Sequence, residues 1–384
     1  MRLPLVSLVS TALIASLSGV AQSQLGIVAL DVHAPMAPSP LPADGRQILV
    51  YELRVTNVGP SLRTLSGLEI RGEPAGTPLA KLSNDDLKGM TRSVASTKAD
   101  SDGRVIASGR QAIVYVWLAL PAGASAPARL HHRFIVSPPD SATATRRDTL
   151  DGPDVTVVNR PARIISAPFA GGPWFAANGP GNTSGHRRTA IPLNGQARIA
   201  QRFATDWVKF GPDGRLFHGD SSINANWYGY GTPIVAVGNG VVTEVLDGVK
   251  ENVALSPTRA VPITLVTVAG NHVLLDLGGG AFAMYAHLQP GSLKVKVGDH
   301  VTTGQAIGLL GNTGNSDAPH LHFQLMDQSS PLGAEGIPFV FERFELLDRV
   351  PKTSDLPETW KQPAGPVSTR DREAALENMV VRFP

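Results

Sequence analysis

Glycine and proline interrupt this chain so often that long regular elements have little room. The 384 residues include 39 glycines and 31 prolines, and only 17% of the residues are charged. Long amphipathic helical patterns are scarce, whereas short apolar runs bounded by turn residues recur along the chain. This composition predicts an all-β fold with many turns, and the length favours two domains.

Residues 24–155 contain several runs in which apolar and polar side chains alternate. The runs at 48–57, 111–120 and 130–136 have this character, which is typical of strands with one buried face. Turns rich in Pro, Gly, Asn and Asp separate them. We therefore expect a β-sandwich-like accessory domain, which could serve as a spacer, a lid or a partner surface.

Two histidines separated by one residue, His320 and His322, lie in an apolar stretch of the C-terminal half. If the stretch is a strand, both imidazoles face the same side, because side chains alternate. Two imidazoles on a buried face are costly unless something pairs with them. A metal ion is one such partner, since neutral imidazole is the commonest metal ligand. Hydrogen-bonded or surface histidines are the alternative interpretation.

Three further segments precede this pair in order. Residues 228–242 read YGYGTPIVAVGNGVV, residues 285–288 read YAHL, and residues 297–314 read VGDHVTTGQAIGLLGNTG. Together with the HLHF run at 320–323, they resemble the lysostaphin/LytM-like zinc metallopeptidases across residues 200–327. The resemblance implies that the C-terminal domain is an antiparallel β-sheet metallopeptidase domain.

The resemblance also implies roles for four side chains of this domain, which we place at residues 186–350. Asp206 and His322 would be two of the zinc ligands. His287 and His320 would be the catalytic pair that orients or deprotonates a water and stabilises the developing oxyanion. Zinc is the implied cofactor, and peptidoglycan or another peptide is the implied substrate.

One zinc ligand expected from the resemblance is missing from its position. The family has a histidine four residues before the aspartate, where this chain has Arg202, and a guanidinium has no lone pair for a cation. Another histidine could complete the site, the site could have lost zinc, or the alignment of this segment could be wrong. His186 is the preferred substitute because its segment precedes that of Asp206, and His218 is the other candidate. Arg202 itself could bind the carboxylate of a stem peptide.

The two ends of the chain and the connection between its domains differ in composition from the rest. Residues 1–23 have a basic start, an apolar run and small residues before a cleavage point, which predicts a signal peptide and an exported, periplasmic or secreted protein. Residues 156–185 have the composition of a linker. Residues 351–384 form a polar, Pro-rich tail in which 370–378 could form one short helix. No later stretch is apolar and long enough to predict an integral membrane protein.

Charge and cysteine content exclude several classes of site. The formal net charge is +2 and is spread along the chain, so nothing indicates nucleic-acid binding. There is no cysteine, which excludes disulfides, thiolate zinc sites and cysteine catalysis. Any metal ligands must therefore come from His, Asp or Glu.

Three functions compete at this point. The leading hypothesis is a zinc-dependent endopeptidase of the bacterial envelope that cleaves peptidoglycan cross-link or bridge peptides. The second is a catalytically degenerate domain that binds the envelope polymer or regulates another hydrolase. The third is a biotinyl- or lipoyl-type carrier, which fits the run at 297–305 but needs a lysine at a hairpin tip. No lysine lies between Lys296 and Lys352, which argues against the carrier.

Overall fold

The structure, a computed structural model, describes residues 28–74, 78–94, 102–137, 147–351 and 359–384. The predicted signal peptide lies outside these ranges. Nearly every regular element within them is a strand, and one α-helix, α1, covers Asn84–Met90. The predicted all-β fold is therefore confirmed. Within the same ranges, we find no helix with the length and apolar character that a membrane crossing requires.

The chain divides into two compact units. The first contains residues up to 40 together with 47–160, and the second contains 41–46 and 161–384. The strands from the start of the described chain to the end of the first unit are β1 (Leu30–His33), β2 (Pro40–Ala43), β3 (Arg46–Asn57), β4 (Arg63–Gly72), β5 (Ala80–Leu82), β6 (Thr91–Ser93), β7 (Val105–Ile106), β8 (Gln111–Ala119), β9 (Arg129–Ser137), β10 (Asp148–Asp151) and β11 (Val155–Thr156).

The first unit packs two antiparallel sheets around one apolar core. One sheet has the order β1-β3-β8-β6, and the other has the order β10-β9-β4-β5 with β11 beside β9 and β7 beside β4. Leu53 and Val114 from the first sheet share a buried cluster with Leu68 and Phe134 from the second. Each fully buried side chain of this kind contributes roughly 1.5–3 kcal/mol. This is the sandwich that the alternating runs predict.

The second unit contains the remaining strands of the described chain. They are β12 (Arg163–Ile165), β13 (Gly171–Ala177), β14 (Ile191–Leu193), β15 (Gln196–Arg198), β16 (Thr205–Lys209), β17 (Pro233–Val235), β18 (Gly240–Leu246), β19 (Asn271–Asp276), β20 (Phe282–Leu288), β21 (His300–Val301), β22 (Ala306–Leu309), β23 (Leu321–Met326), β24 (Phe339–Arg349), β25 (Ser368–Glu373) and β26 (Met379–Phe383).

A large sheet forms the centre of the second unit. Its order is β12-β24-β26-β13-β16-β23-β20-β19-β18-β21, with β25 beside β24. Only the short β12–β24 pair is parallel among its described strand pairs. On one face Trp207 packs against Phe341 and Phe383. Because neighbouring side chains of a strand alternate, Asp206 points to the opposite face. The predicted antiparallel C-terminal domain is confirmed.

Two segments differ from the sequence predictions. Residues 156–185, expected to be a linker, include β12 and β13, and β13 pairs with both β16 and β26. Residues 351–384, expected to be a tail, supply β25 and β26, so the short helix expected at 370–378 is wrong. The Gly- and Pro-rich composition of these two segments predicted loops, because composition reflects only the local conformational preferences of the residues. The strand partners of these segments lie far away in sequence, and the pairing overrides those preferences.

Arg202 belongs to the interior of the second unit. Its side chain is 1% exposed and forms an ion pair with Glu335, from Nη1 to Oε2 at 2.8 Å. The same nitrogen donates to the carbonyl of Gly336 at 3.3 Å. A buried guanidinium is costly unless a carboxylate and further acceptors satisfy it. The arginine and the Glu335 carboxylate therefore join the segment before β16 to the segment before β24.

We predict that Glu335→Gln lowers the free energy of unfolding by about 3 kcal/mol, because the variant leaves the Arg202 charge buried without its counterion. Urea denaturation followed by circular dichroism measures the change. Asp371→Asn is the matched control, since it removes the carboxylate from the exposed Arg343–Asp371 pair, and its effect should be far smaller. Equal effects of the two substitutions would contradict a structural role for the buried pair.

Candidate metal and catalytic site

Asp206 and His322 face each other across two central strands. β16 and β23 are antiparallel neighbours, and these two residues are directly paired in the register. The Asp206 Oδ1 atom lies 2.8 Å from His322 Nδ1. The resemblance, which implies that both residues are ligands of one zinc ion, leads to the expectation that their side chains converge. Both side chains are largely buried, so their polar atoms depend on each other and on their other neighbours.

His186 reaches the same carboxylate from a loop that precedes β14. Its Nε2 lies 3.2 Å from Asp206 Oδ2, and its ring packs edge-on against that of His322, with 4.8 Å between centroids. The ligand-type atoms of these three residues all lie within 4.8 Å of one another. His218, the other candidate, instead packs against Tyr228 and is not part of this group.

These three residues have donor atoms that could hold a metal ion. Two imidazole nitrogens and one carboxylate oxygen are ligands that zinc commonly accepts, and three protein ligands leave a position for water. The His186 Nδ1 atom lies 2.9 Å from the carbonyl of Asn178, which can only accept a hydrogen bond. His186 therefore carries a proton on Nδ1. Burial lowers the pKa of His186, but the nearby Asp206 carboxylate raises it above its ordinary value, so a metal ion bound at Nε2 would displace a proton from that atom.

Asn178 contacts both of the residues that its loop brings together. Its side-chain amide donates to Asp206 Oδ2 at 3.0 Å, and its carbonyl accepts from the Ser184 hydroxyl as well as from His186. The residue has a φ of 47°, a left-handed conformation that Asn adopts more readily than most residues. Sequence reasoning assigned this stretch to a linker and missed the residue. Its only local signal is the Asn-Gly turn dipeptide that it forms with Gly179.

His320 lies immediately before β23 and faces the same point as His322. Its Nε2 is 3.4 Å from Asp206 Oδ1, and its Nδ1 donates to the carbonyl of Ala318 at 2.8 Å. Ser316 Oγ lies 3.2 Å from the same ring nitrogen. The two imidazoles of the HLH run thus share one face, as the period of a strand predicts.

His287 stands near the end of β20 and points into the same site. Its ring centroid is 4.7 Å from that of His320 and 5.9 Å from that of His322. Ala286 pairs with His322, so strict alternation would send the next side chain to the other face of the sheet. The φ of His287 is 66°, and this left-handed conformation turns the ring toward the site instead. Its Nδ1 donates to the carbonyl of Thr313 at 2.7 Å.

The charge distribution of the cluster follows from burial and from Asp206. Burial alone would raise the pKa of Asp206, but the His186 and His320 imidazoles hold it well below its usual range. Burial lowers the pKa of His322, against the opposing effect of Asp206. Burial also holds the pKa of His287 well below its ordinary value, and the neighbouring imidazoles add to this effect. An ionised carboxylate beside a neutral imidazole is the protonation state that a metal site requires.

The cluster opens into a groove on one face of the large sheet. Asn178, His186, His287 and the other site residues line its floor. Phe217 and Trp227 contribute apolar side chains, and Glu377 and Asn378 come from the turn between β25 and β26. The C-terminal segment, to which we assigned no function from the sequence, therefore forms part of the groove.

Arg202 does not line this groove. Its guanidinium is buried against Glu335, so the hypothesis that it pairs with a substrate carboxylate is corrected by its burial. At the position where the resemblance expects a zinc-ligand histidine, the chain has Arg202, whose buried guanidinium pairs with Glu335. The imidazole beside Asp206 comes from His186, in another segment.

Part of the second unit is similar to known peptidases. Residues 226–333 match the model of peptidase family M23, a range that contains His287, His320 and His322 but not His186 or Asp206. The peptidoglycan DD-endopeptidase ShyA of Vibrio cholerae is 29% identical over 186 residues, which are 47% of this chain and 36% of that protein. Lysostaphin of Staphylococcus simulans is 49% identical over 61 residues, which are 16% of this chain and 12% of lysostaphin.

The chain therefore matches about a third or less of the length of these two relatives. Among solved structures, the catalytic domain of lysostaphin from Staphylococcus simulans is 30% identical, with a TM-score of 0.21, over 34% of this chain and 88% of that domain. The family match and the relatives agree with the motifs at 228–242, 285–288 and 320–323. Residues 226–333 therefore match the peptidase family M23 model, and the chain is similar in part to peptidoglycan-cleaving peptidases of the lysostaphin type.

Proposed function

We propose that this protein is a zinc-dependent endopeptidase that cleaves cross-link or bridge peptides of peptidoglycan in the bacterial cell envelope. The observation that carries the proposal is the convergence of His186, Asp206 and His322, with His287 and His320 facing the same point. Two similar proteins support the substrate class, the peptidoglycan DD-endopeptidase ShyA and the glycyl-glycine endopeptidase ALE-1 of Staphylococcus capitis.

His186 Nε2, His322 Nδ1 and the Asp206 carboxylate would hold the zinc ion. A zinc ion bound there would polarise the scissile carbonyl and lower the pKa of a water molecule. The three ligands come from a loop and from two paired strands, so sheet pairing sets the position of two of them before any ion binds. Pre-positioned ligands of this kind reduce the reorganisation that binding requires.

His287 is suited to accept a proton. Its Nδ1–H is engaged by the carbonyl of Thr313, so the lone pair of Nε2 is available, and its low pKa keeps the ring neutral near pH 7. A neutral buried imidazole within the site can take a proton from a water molecule that attacks a peptide carbonyl.

His320 is suited to donate a hydrogen bond or a proton. The carbonyl of Ala318 fixes its Nδ1–H. Burial opposes protonation of its ring, but the Asp206 carboxylate raises its pKa above the ordinary value. A protonated His320 would present Nε2–H to the developing oxyanion and later to the leaving amine.

The alternative function is a degenerate domain that binds peptidoglycan without cleaving it. That hypothesis rested on Arg202 at the position of an expected ligand. The proximity of His186 to Asp206 supports an active site over a degenerate one. We place the protein outside the cytoplasm, in the periplasm or secreted, because the N-terminal sequence predicts a signal peptide and the proposed substrate is extracytoplasmic.

We predict that the protein purified with zinc contains about one ion per chain, measured by elemental analysis. His186→Ala should abolish zinc binding, because two protein ligands are too few to retain it. Arg202→His should leave zinc binding nearly unchanged in any variant that folds, because this side chain is buried away from the site. His300→Ala is the control, since this histidine is exposed and lies outside the cluster.

The opposite pattern would support the degenerate domain. In that case the wild type would bind little zinc, and Arg202→His would restore binding by supplying a ligand four residues before Asp206.

We predict that His287→Ala and His320→Ala retain most of the zinc but lose about 10²–10⁴-fold in the rate of peptidoglycan cleavage. Release of soluble fragments from purified cross-linked peptidoglycan measures the rate, and a chelator should abolish wild-type cleavage until zinc is restored. If His320→Ala removes zinc as fully as His322→Ala does, the roles of these two residues are exchanged.

A further inference from the structure

Gln324 lies directly behind the proposed ligand His322. Both residues are on β23, two positions apart, so their side chains share one face of the sheet. Gln324 is buried, and its Oε1 lies 2.9 Å from His322 Nε2. His322 thus has Gln324 at one ring nitrogen and Asp206 at the other. Neither the resemblance nor the family match assigns a role to this glutamine.

The orientation of the Gln324 amide is determined by a second contact. Its Nε2 lies 3.1 Å from the carbonyl of Pro331, and a carbonyl oxygen can only accept a hydrogen bond. The amide nitrogen must therefore face Pro331, which leaves the amide oxygen facing His322. That oxygen is also only an acceptor, so it favours a proton on His322 Nε2, whereas the Asp206 carboxylate on the other side favours one on Nδ1.

We propose that Gln324 is a positioning residue that keeps the proton of neutral His322 on Nε2 and leaves the lone pair of Nδ1 directed at Asp206. The inference rests on the proposed function in one respect, which is that the ion would bind to this lone pair. The hydrogen-bond argument itself concerns only the protein and holds for the metal-free chain.

The tautomer of His322 decides whether its Nδ1 lone pair is available to a metal ion. With the proton on Nε2, His322 Nδ1 and Asp206 Oδ1 are two lone-pair atoms 2.8 Å apart, an arrangement that a cation between them stabilises. With the proton on Nδ1, the same atoms would form an ordinary histidine–carboxylate hydrogen bond that a metal must first break. Gln324 therefore favours metal binding without contacting the metal, as partners of metal-bound histidines commonly do.

The test compares Gln324→Leu with Gln324→Glu in the full-length chain. Leucine has a similar volume but no acceptor, so the His322 proton should move to Nδ1 and the zinc affinity should fall about 10- to 100-fold. Glutamate keeps an acceptor oxygen and should restore both the tautomer and most of the affinity. Gln328→Leu is the matched control, because Gln328 is exposed and its amide contacts only the nearby Gly333 carbonyl among the hydrogen bonds described.

Two readouts separate this inference from the proposed function. Nitrogen-15 NMR of the imidazole rings reports the tautomer in metal-free protein, at a pH where His322 is neutral, and a competition titration with a chromophoric chelator reports zinc affinity. Wild-type protein should carry the His322 proton on Nε2, and finding it on Nδ1 overturns the inference even if Gln324→Leu does not fold. A Gln324→Leu variant with the wild-type tautomer and wild-type affinity also overturns it. If the wild type binds no zinc, the proposed function fails, while the tautomer comparison still decides the role of Gln324.

Discussion

The buried carboxylate of Asp206 is the interaction on which the site depends. It accepts a hydrogen bond from the Asn178 amide and faces the rings of His186, His320 and His322. A buried carboxylate is expensive unless hydrogen-bond donors or cations surround it. The Asn178 amide and the three imidazoles surround this charge with groups that can donate hydrogen bonds to it. The same charge provides the main attraction for a metal cation at this position.

Strand pairing positions the carboxylate and its partners. β16 lies between β13 and β23, so the loop after β13 and the histidines of β23 approach Asp206 from opposite sides. The C-terminal strand β26 supports this arrangement from the other edge of β13. The amides of Glu377 and Asn378 donate to the carbonyls of Pro180 and Ala176, beside the loop that carries Asn178 and His186. The turn that leads into β26 therefore holds the loop that supplies one of the proposed ligands.

Arg202 occupies the position of an expected ligand but has a structural role in this chain. The resemblance places an imidazole at this position, whereas this chain has a guanidinium that is neutralised by Glu335 inside the fold. An imidazole is recruited instead from a Gly- and Asn-rich loop 16 residues earlier in the chain. An ion bound at the proposed site would need ligand atoms near Asp206, whichever segment of the chain provides them.

The sequence alone determined the fold class, the sandwich and the members of the cluster that lie within short motifs. Gly and Pro spacing excluded long helices, and the period of a strand put His320 and His322 on one face. These properties are local, so they can be read from neighbouring residues. The choice between His186 and His218, and the contacts of Asn178, Gln324 and Arg202, could not be read in this way. Their partners are Asp206, Pro331 and Glu335, which the folded sheet brings near from other segments. Only the tertiary structure decided these roles, because hydrogen bonds and ion pairs depend on distance in space and not on separation along the chain.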